Sequence, residues 1–325
     1  MVQLELESFG MQIFLMLKDD LIDGEVMLLK LRTVVIGILV ILLTSGFAAA
    51  ETLNVGTGQK YTTIQSAIDA ANQGDVISVN EGIYYENLIV KMNDISLIGK
   101  NEEKTIIDAK KLGSGIRVDQ TTNAKISGFT IQNSGGSGKA DAGITVYSAH
   151  NNTITNTILI NNVVGISIYS ESRNNVISGN DIRSNTNYGM FIYSSGDNKI
   201  YNNNIQNNKI GIYADSARTN RIYSNNFIDN TDQQAYDNSG LNFWDDGSSG
   251  NFWSTHKTGG AYTISGVPKA KDNYPLSNAV TIKYETVPIE QKENNGSSKS
   301  SPGFSGLSVA AMLIVIGILV NKKRI

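Results

Sequence analysis

Between residues 123 and 241 the hydrophobic positions recur in short bursts of period two, with no stretch at helical spacing. Four segments place an Asn two residues before an aliphatic: Asn152-Thr-Ile154, Asn175-Val-Ile177, Asn198-Lys-Ile200 and Asn220-Arg-Ile222, at spacings of 23, 23 and 22 residues. Each is followed by an apolar-x-x-Asn segment: Ile158 with Asn161, Ile182 with Asn185, Ile205 with Asn208, Phe227 with Asn230. Gly and alternating apolars come next, as Gly165-Ile166-x-Ile168, Gly189-Met190-x-Ile192 and Gly211-Ile212-x-Ala214. An irregular earlier copy runs from Asn123-x-x-Ile126 through Ile131-x-Asn133 and resumes at Gly143-Ile144-x-Val146 after a Gly-rich insertion, 134–142. A fixed period of this length marks a repeat architecture, and alternation makes its units strands. Three short strands per repeat, each turning apolar residues inward, predict an all-β fold. The expected form is a right-handed parallel β-helix solenoid with coils about 4.8 Å apart. Asn is expected at the corners. It tolerates left-handed backbone, bonds its own chain locally, and when stacked can bond the coils above and below.

One segment upstream has the other period. Ile64, Ala67, Ile68 and Ala71 make one apolar face of a helix, with Thr62 and Gln65 at capping-box spacing. A solenoid must cover its open end, so this helix is predicted to cap the first coils, and residues 51–122 form that cap and its first strands. At the other end Asn242-Phe-Trp244 and Asn251-Phe-Trp253 carry both tryptophans of the chain. Residues 242–284 are therefore expected to plug the C-terminal end of the 123–241 repeats.

The flanks are addresses. In 27–50, Lys30 and Arg32 precede an apolar run and Ala48-Ala49-Ala50, the pattern of a secretory signal cut between Ala50 and Glu51. Residues 1–26 hold six acids, Glu5, Glu7, Asp19, Asp20, Asp23 and Glu25, the wrong sign for a signal's leading region. That points to translation from Met27, with 1–26 a mis-assigned extension. Residues 285–301 are polar and suit a linker. Pro302-Gly303-Phe304, an apolar run and Lys322-Lys323-Arg324 follow in 302–325. The run is short against the roughly 20 residues of a spanning helix, and the basic end would stay inside. A C-terminal membrane anchor, retained or exchanged for lipid, is expected.

Composition narrows the chemistry. With no Cys and two His in 325 residues, no disulfide framework or thiol nucleophile exists and no metal or cofactor site is expected. Lys and Arg number 27 against 30 Asp and Glu, so there is no basic field for nucleic acid. Charged residues make up 18%, below the roughly 25% of ordinary domains, while 20 of the 80 residues in 151–230 are Asn. Stacking explains both, because a charge at a repeated corner would meet its own kind.

The stretch Tyr61-Thr-Thr-Ile-Gln-Ser-Ala-Ile-Asp-Ala-Ala, Gly74-Asp-x-Ile77, Gly82-Ile-Tyr-Tyr-Glu86 and Leu97-Ile-Gly99 resembles the N-terminal cap and first coils of pectin-lyase-like proteins. The Asn-x-Ile repeats resemble the NosD-like, CASH-type β-helix. The block Asn242-Phe-Trp-Asp-Asp-Gly, Gly250-Asn-Phe-Trp-Ser254 and Asp272-Asn-Tyr-Pro-Leu276 is similar to the terminal region of NosD-like surface proteins. Together these cover about 53–276. Pro302, Gly303 and Phe304 ahead of an apolar, basic-ended tail resemble the PGF-CTERM sorting signal of archaeal surface proteins. That implies processing by an archaeosortase-type enzyme. The resemblance is specific for fold and poor for function, because such solenoids carry enzymes and inert stalks alike.

Neither the paired carboxylates of a glycosidase nor a lyase's base beside an acidic cation site stands out among the repeats. Asp181, Asp197, Asp215 and Asp229 fall at different repeat positions, and the adjacent pair Asp245-Asp246 reads as a turn. Outward positions carry Tyr147, Tyr169 and Tyr193 in one row, with Phe191 and Tyr213 one row over and Tyr201 and Tyr223 on another face. Aromatic rings at coil spacing suit sugar stacking. They equally suit cross-strand stabilisation. Asn151 and Asn295 head glycosylation sequons. The sequence thus reads as a cell-surface, membrane-anchored protein with a structural or adhesive role toward polysaccharide or envelope glycan. The alternative is a polysaccharide lyase or glycoside hydrolase.

Overall fold

Each repeat closes one coil of three short strands, and consecutive coils pair in parallel, residue on equivalent residue. The computed structural model describes residues 50–135, 141–257 and 259–282. The expected leader, linker and sorting segments, Asn295, Pro302, Gly303 and Phe304, lie outside them, as does most of the 134–142 insertion. The first strands of nine successive coils form one continuous path, from Thr52–Val55 to Leu241–Phe243. The third strands form a seven-stranded sheet from Leu88–Val90 to Gln233–Asp237. This is a parallel β-helix.

Register shows how the core is built. Leu97, Ile126, Ile154, Ile177, Ile200 and Ile222 stack along the first strands. Ile131, Leu159, Ile182, Ile205 and Phe227 stack along the second, and Ile144, Ile166, Met190 and Ile212 along the third. All of these are buried. Each burial removes roughly 1.5–3 kcal/mol worth of apolar surface from water. The glycine before each third-strand core residue is needed because coils come close there. A Cβ on Gly189 would stand 2.6 Å from the Gly211 carbonyl oxygen and 2.9 Å from Asn208 Nδ2.

The corners divide between two residues the tasks that sequence reasoning gave to one. A residue with left-handed backbone comes first: Asn151 (φ 57°), Asn174 (57°) and Asp197 (58°) at one corner, Asn161 (57°) and Asn207 (55°) at another. The next residue is a buried Asn whose amide bonds the neighbouring coil. Among the described residues three such ladders run, one per corner: Asn152, Asn175, Asn198, Asn220, Asn242; then Asn180, Asn203, Asn225, Asn251; then Asn162, Asn185, Asn208, Asn230. This corrects the expected Ile158–Asn161 segment. Leu159 is the core residue, and the ladder Asn is Asn162.

The ends are covered as expected, with a local correction at the first. The helix Ile64–Ala70 buries Ile64, Ala67 and Ile68, but its cap is Thr63, which accepts from the Ser66 amide, and not Thr62. At the other end Phe227, Trp253 and Tyr262 stack in sequence, with centroids 4.3 and 4.1 Å apart. Trp244 lies 6.0 Å from Trp253. Among the described residues no helix is long and apolar enough to cross a membrane.

Candidate functional site

The outer face of the seven-stranded sheet carries a sustained run of aromatic side chains. Parallel pairing aligns Asp119, Tyr147, Tyr169, Tyr193 and Asp215 in one row across five coils. The next row aligns Arg117, Thr145, Ser167, Phe191, Tyr213 and Tyr236. The two rows predicted from sequence are therefore brought together as read. Sequence reasoning missed Tyr188 and Tyr236, which extend the run. Tyr188 follows an Asn-rich corner, and Tyr236 lies beyond the last clear repeat.

Exposure separates the members. Phe191 is buried at 6%, in an outer apolar cluster with Ala142 and Val164 onto which Tyr188 and Tyr213 pack. This corrects the outward contact role expected of Phe191, because its neighbours' rings cover it. Tyr193 is 44% exposed and stacks on Phe191 at 6.0 Å. Tyr147 and Tyr169 tilt against each other at 4.9 Å, and Tyr213 stacks on Tyr236 at 4.9 Å. Burial pushes the Tyr213 phenol up from its ordinary value, helped by Asp215, Tyr236 and Tyr188 nearby.

One cation ties three coils of this face together. The Arg117 guanidinium lies 4.4 Å from the Tyr147 ring centre, donates to Tyr169 Oη at 2.9 Å, and pairs with Asp119 at 3.4 Å. Its charge and donors are thereby engaged. The other predicted pair, Tyr201 and Tyr223, stacks at 5.4 Å on the first-strand face.

The two carboxylates that close the row are not spaced as a glycosidase pair. Asp119 and Asp215 close the row four coil steps apart, about 19 Å at 4.8 Å per step. A glycosidase needs its carboxyls roughly 5–9.5 Å apart. Asp245 and Asp246 form a turn, as expected. Hydrogen bonds from the Ser248 hydroxyl and the Ser248 and Ser249 amides hold the Asp246 carboxyl below its ordinary value. Asp245 accepts from the Asn273 amide and side chain at 3.0 Å each. An open polar depression of about 440 Å³ at one corner, lined by Ser184, Asn207, Lys209 and Asp232 among others, has its cation paired with Asp232 at 3.8 Å. Asn151 sits exposed at its corner, one residue before the buried Asn152.

Residues 50–258 match the family model described as periplasmic copper-binding protein (NosD). The chain belongs to the NosD family. A cell surface glycoprotein of Methanothermus fervidus is 34% identical over 130 residues, which are 39% of this chain and 21% of that protein. The chain thus matches about a fifth of that relative's length. A pectin methylesterase of Yersinia enterocolitica is 16% identical, with 52% of this chain and 66% of that one covered at a TM-score of 0.43. One of Erwinia chrysanthemi is 13% identical, with 75% and 94% covered at 0.45.

The copper in the NosD description can be tested against the donors present. His150 Nδ1 already accepts from the Arg173 amide at a corner, and His256 lies in the C-terminal cap, bonded to the Gly260 carbonyl. Met190 is core, and Met92 stands exposed in the first coils. With no Cys, and no cluster of three His, Cys, Asp or Glu among the described residues, these side chains do not fit a copper site.

Proposed function

We propose that this NosD-family protein is an exported, envelope-displayed β-helix whose outer aromatic face contacts neutral polysaccharide in a structural or adhesive role. The single observation that carries the reading is the row Tyr147, Tyr169, Tyr193, held in register over consecutive coils and flanked by Asp119 and Asp215. Ring faces and edges offer apolar surface to sugar rings, and carboxylates accept from sugar hydroxyls. The flanking carboxylates and the already paired Arg117 disfavour polyuronates, which would bring like charge to the row. The family description and the cell surface relative support display outside the cytoplasm. The Pro302-Gly303-Phe304 tail would supply the anchor after processing by an archaeosortase-type enzyme, and the exposed Asn151, like Asn295, would be open to glycosylation.

Affinity electrophoresis of the purified chain through immobilised neutral glucan, mannan or polygalacturonate tests this. Retention is expected on a neutral polymer, lowered about tenfold or more, roughly 1.4 kcal/mol, by Tyr169→Ala with Tyr193→Ala. Tyr201→Ala, on the other face, should leave retention unchanged. Equal retention of the double variant rejects the face as the contact surface.

A further inference from the structure

The backbone nitrogen of Glu51 donates to Asp75 Oδ1 at 2.8 Å, and the other carboxylate oxygen accepts from the Asn72 amide at 2.8 Å. Asp75 is only 3% exposed. The Glu51 carbonyl accepts from the Val76 amide at 2.9 Å, so residue 51 is held by both its backbone polar groups. Ala50, immediately before it, is exposed. A buried carboxylate here meets two neutral amide donors, whereas buried charges are ordinarily paired. One of those donors is the atom that turns cationic when the preceding peptide bond is cut.

We propose that cleavage between Ala50 and Glu51 completes the N-terminal cap by placing the new α-ammonium of Glu51 against the Asp75 carboxylate. Water is the co-reactant. The amide bond breaks, Ala50 leaves with a carboxylate, and the Glu51 nitrogen gains the protons of an ammonium. The bond at 2.8 Å is kept and becomes an ion pair. The exposed Glu51 carboxylate attracts the Lys60 ammonium, and the carboxylates of Asp69, Glu86 and Asp94 stand on the helix and first coils, bonded to Gln65, to the Ile64 and Gln65 amides and to Gln73. The cut thus strengthens the first strand's attachment to Val76–Val79 at the N-terminal end of the solenoid. The proposal rests on the export reading for the cut itself, but the pairing can be tested without it.

Residues 1–50 are replaced by a carrier whose protease leaves Glu51 first, and melting is followed before and after the cut. A rise in Tm of about 2–4 °C is expected near pH 7. An ammonium paired with a carboxylate has its pKa raised. The gain should therefore be complete below the unfolded α-amino value of about 7.7–8.0 and vanish as pH rises through the raised one. It should also be absent in Asp75→Asn. An equal rise in that variant, or a rise unchanged at about pH 10, overturns the pairing; should the variant not fold, the pH series alone decides. N-terminal sequencing of the exported protein separately tests the cut: Glu51 first supports it, and any other first residue overturns it.

Discussion

At five corners an asparagine directly precedes the ladder asparagine: Asn151-Asn152, Asn161-Asn162, Asn174-Asn175, Asn202-Asn203 and Asn207-Asn208. The first of each pair has φ between 54° and 57°, a conformation that costs Asn less than most residues. The second is buried, and its amide bonds neighbouring coils. Asn203 Oδ1 accepts from the Asn180 amide and Nδ2 at 3.0 Å each. Its own Nδ2 donates to the Ile177 and Tyr201 carbonyls and to Asn225 Oδ1. Asn203→Ala strips partners from several buried groups at about 1–3 kcal/mol each. A loss of ~3 kcal/mol or more is expected in urea unfolding. Asn202→Gly, which keeps the left-handed backbone, should change stability by less than about 1 kcal/mol. Comparable losses for both would remove the division of labour. The excess of Asn and its spacing were legible in the sequence. Which Asn of a pair faces inward was not, because period alone does not place the turn to the residue.

The element at the N-terminal end shows the same limit of local rules. The apolar face of Ile64–Ala70 follows from sequence spacing, but beyond the local cap at Thr63 its first amides are satisfied from elsewhere in the chain. Glu86, after the strand Gly82–Tyr84, accepts from the Ile64 and Gln65 amides at 2.8 and 2.9 Å, placing negative charge at the helix start. The side-chain amide of Gln65 in turn accepts from Ile89 N–H at 2.8 Å and donates to Ile89 C=O at 3.2 Å. A single side chain thereby imitates the next strand along the edge Leu88–Val90, which has no further coil to pair with. Gln65→Ala should cost about 1 kcal/mol and speed exchange of the Ile89 amide, while amides of Ile166 and Ile168 in mid-solenoid stay protected. Unchanged exchange at Ile89 would show that the helix, and not this amide, protects the edge. A capping box reads four neighbouring residues. A carboxylate 22 positions away from Ile64 is outside its view.

Across the whole solenoid the ladders share one polarity: backbone and side-chain N–H groups of each coil donate toward the next coil's Oδ1, as from Asn175 to Asn198. The series must therefore end on acceptors: the Asn230 ladder ends on Gln234 Oε1, and the other two end on buried carboxylates. Asp237 accepts from Asn242 Nδ2 and Trp244 Nε1 at 3.1 Å each. Asp272 accepts from the Asn251 amide at 2.7 Å, Trp253 Nε1 at 2.8 Å and the Tyr274 amide at 3.0 Å. Burial pushes the Asp272 carboxyl up from its ordinary value, outweighing the bonds from Asn251, Trp253 and Tyr274 that pull it down. For a carboxyl raised in the folded state, the stabilising contribution is complete below the unfolded value of about 3.9 and is lost as pH rises through the raised value. Asp272→Asn removes that dependence but offers one acceptor oxygen where two are used, so an N–H is left facing an N–H, at about 1–3 kcal/mol. The variant should unfold at lower urea throughout, by a margin that narrows as pH rises from about 4 to 7. Because solenoid stability sums over neighbouring coils, the loss should appear first as faster exchange in Phe252–Trp253 and Asn226–Ile228, ahead of the central coils. A margin that widens with pH would mean that the three hydrogen bonds outweigh desolvation, and that the carboxylate, once ionised, is what closes the solenoid.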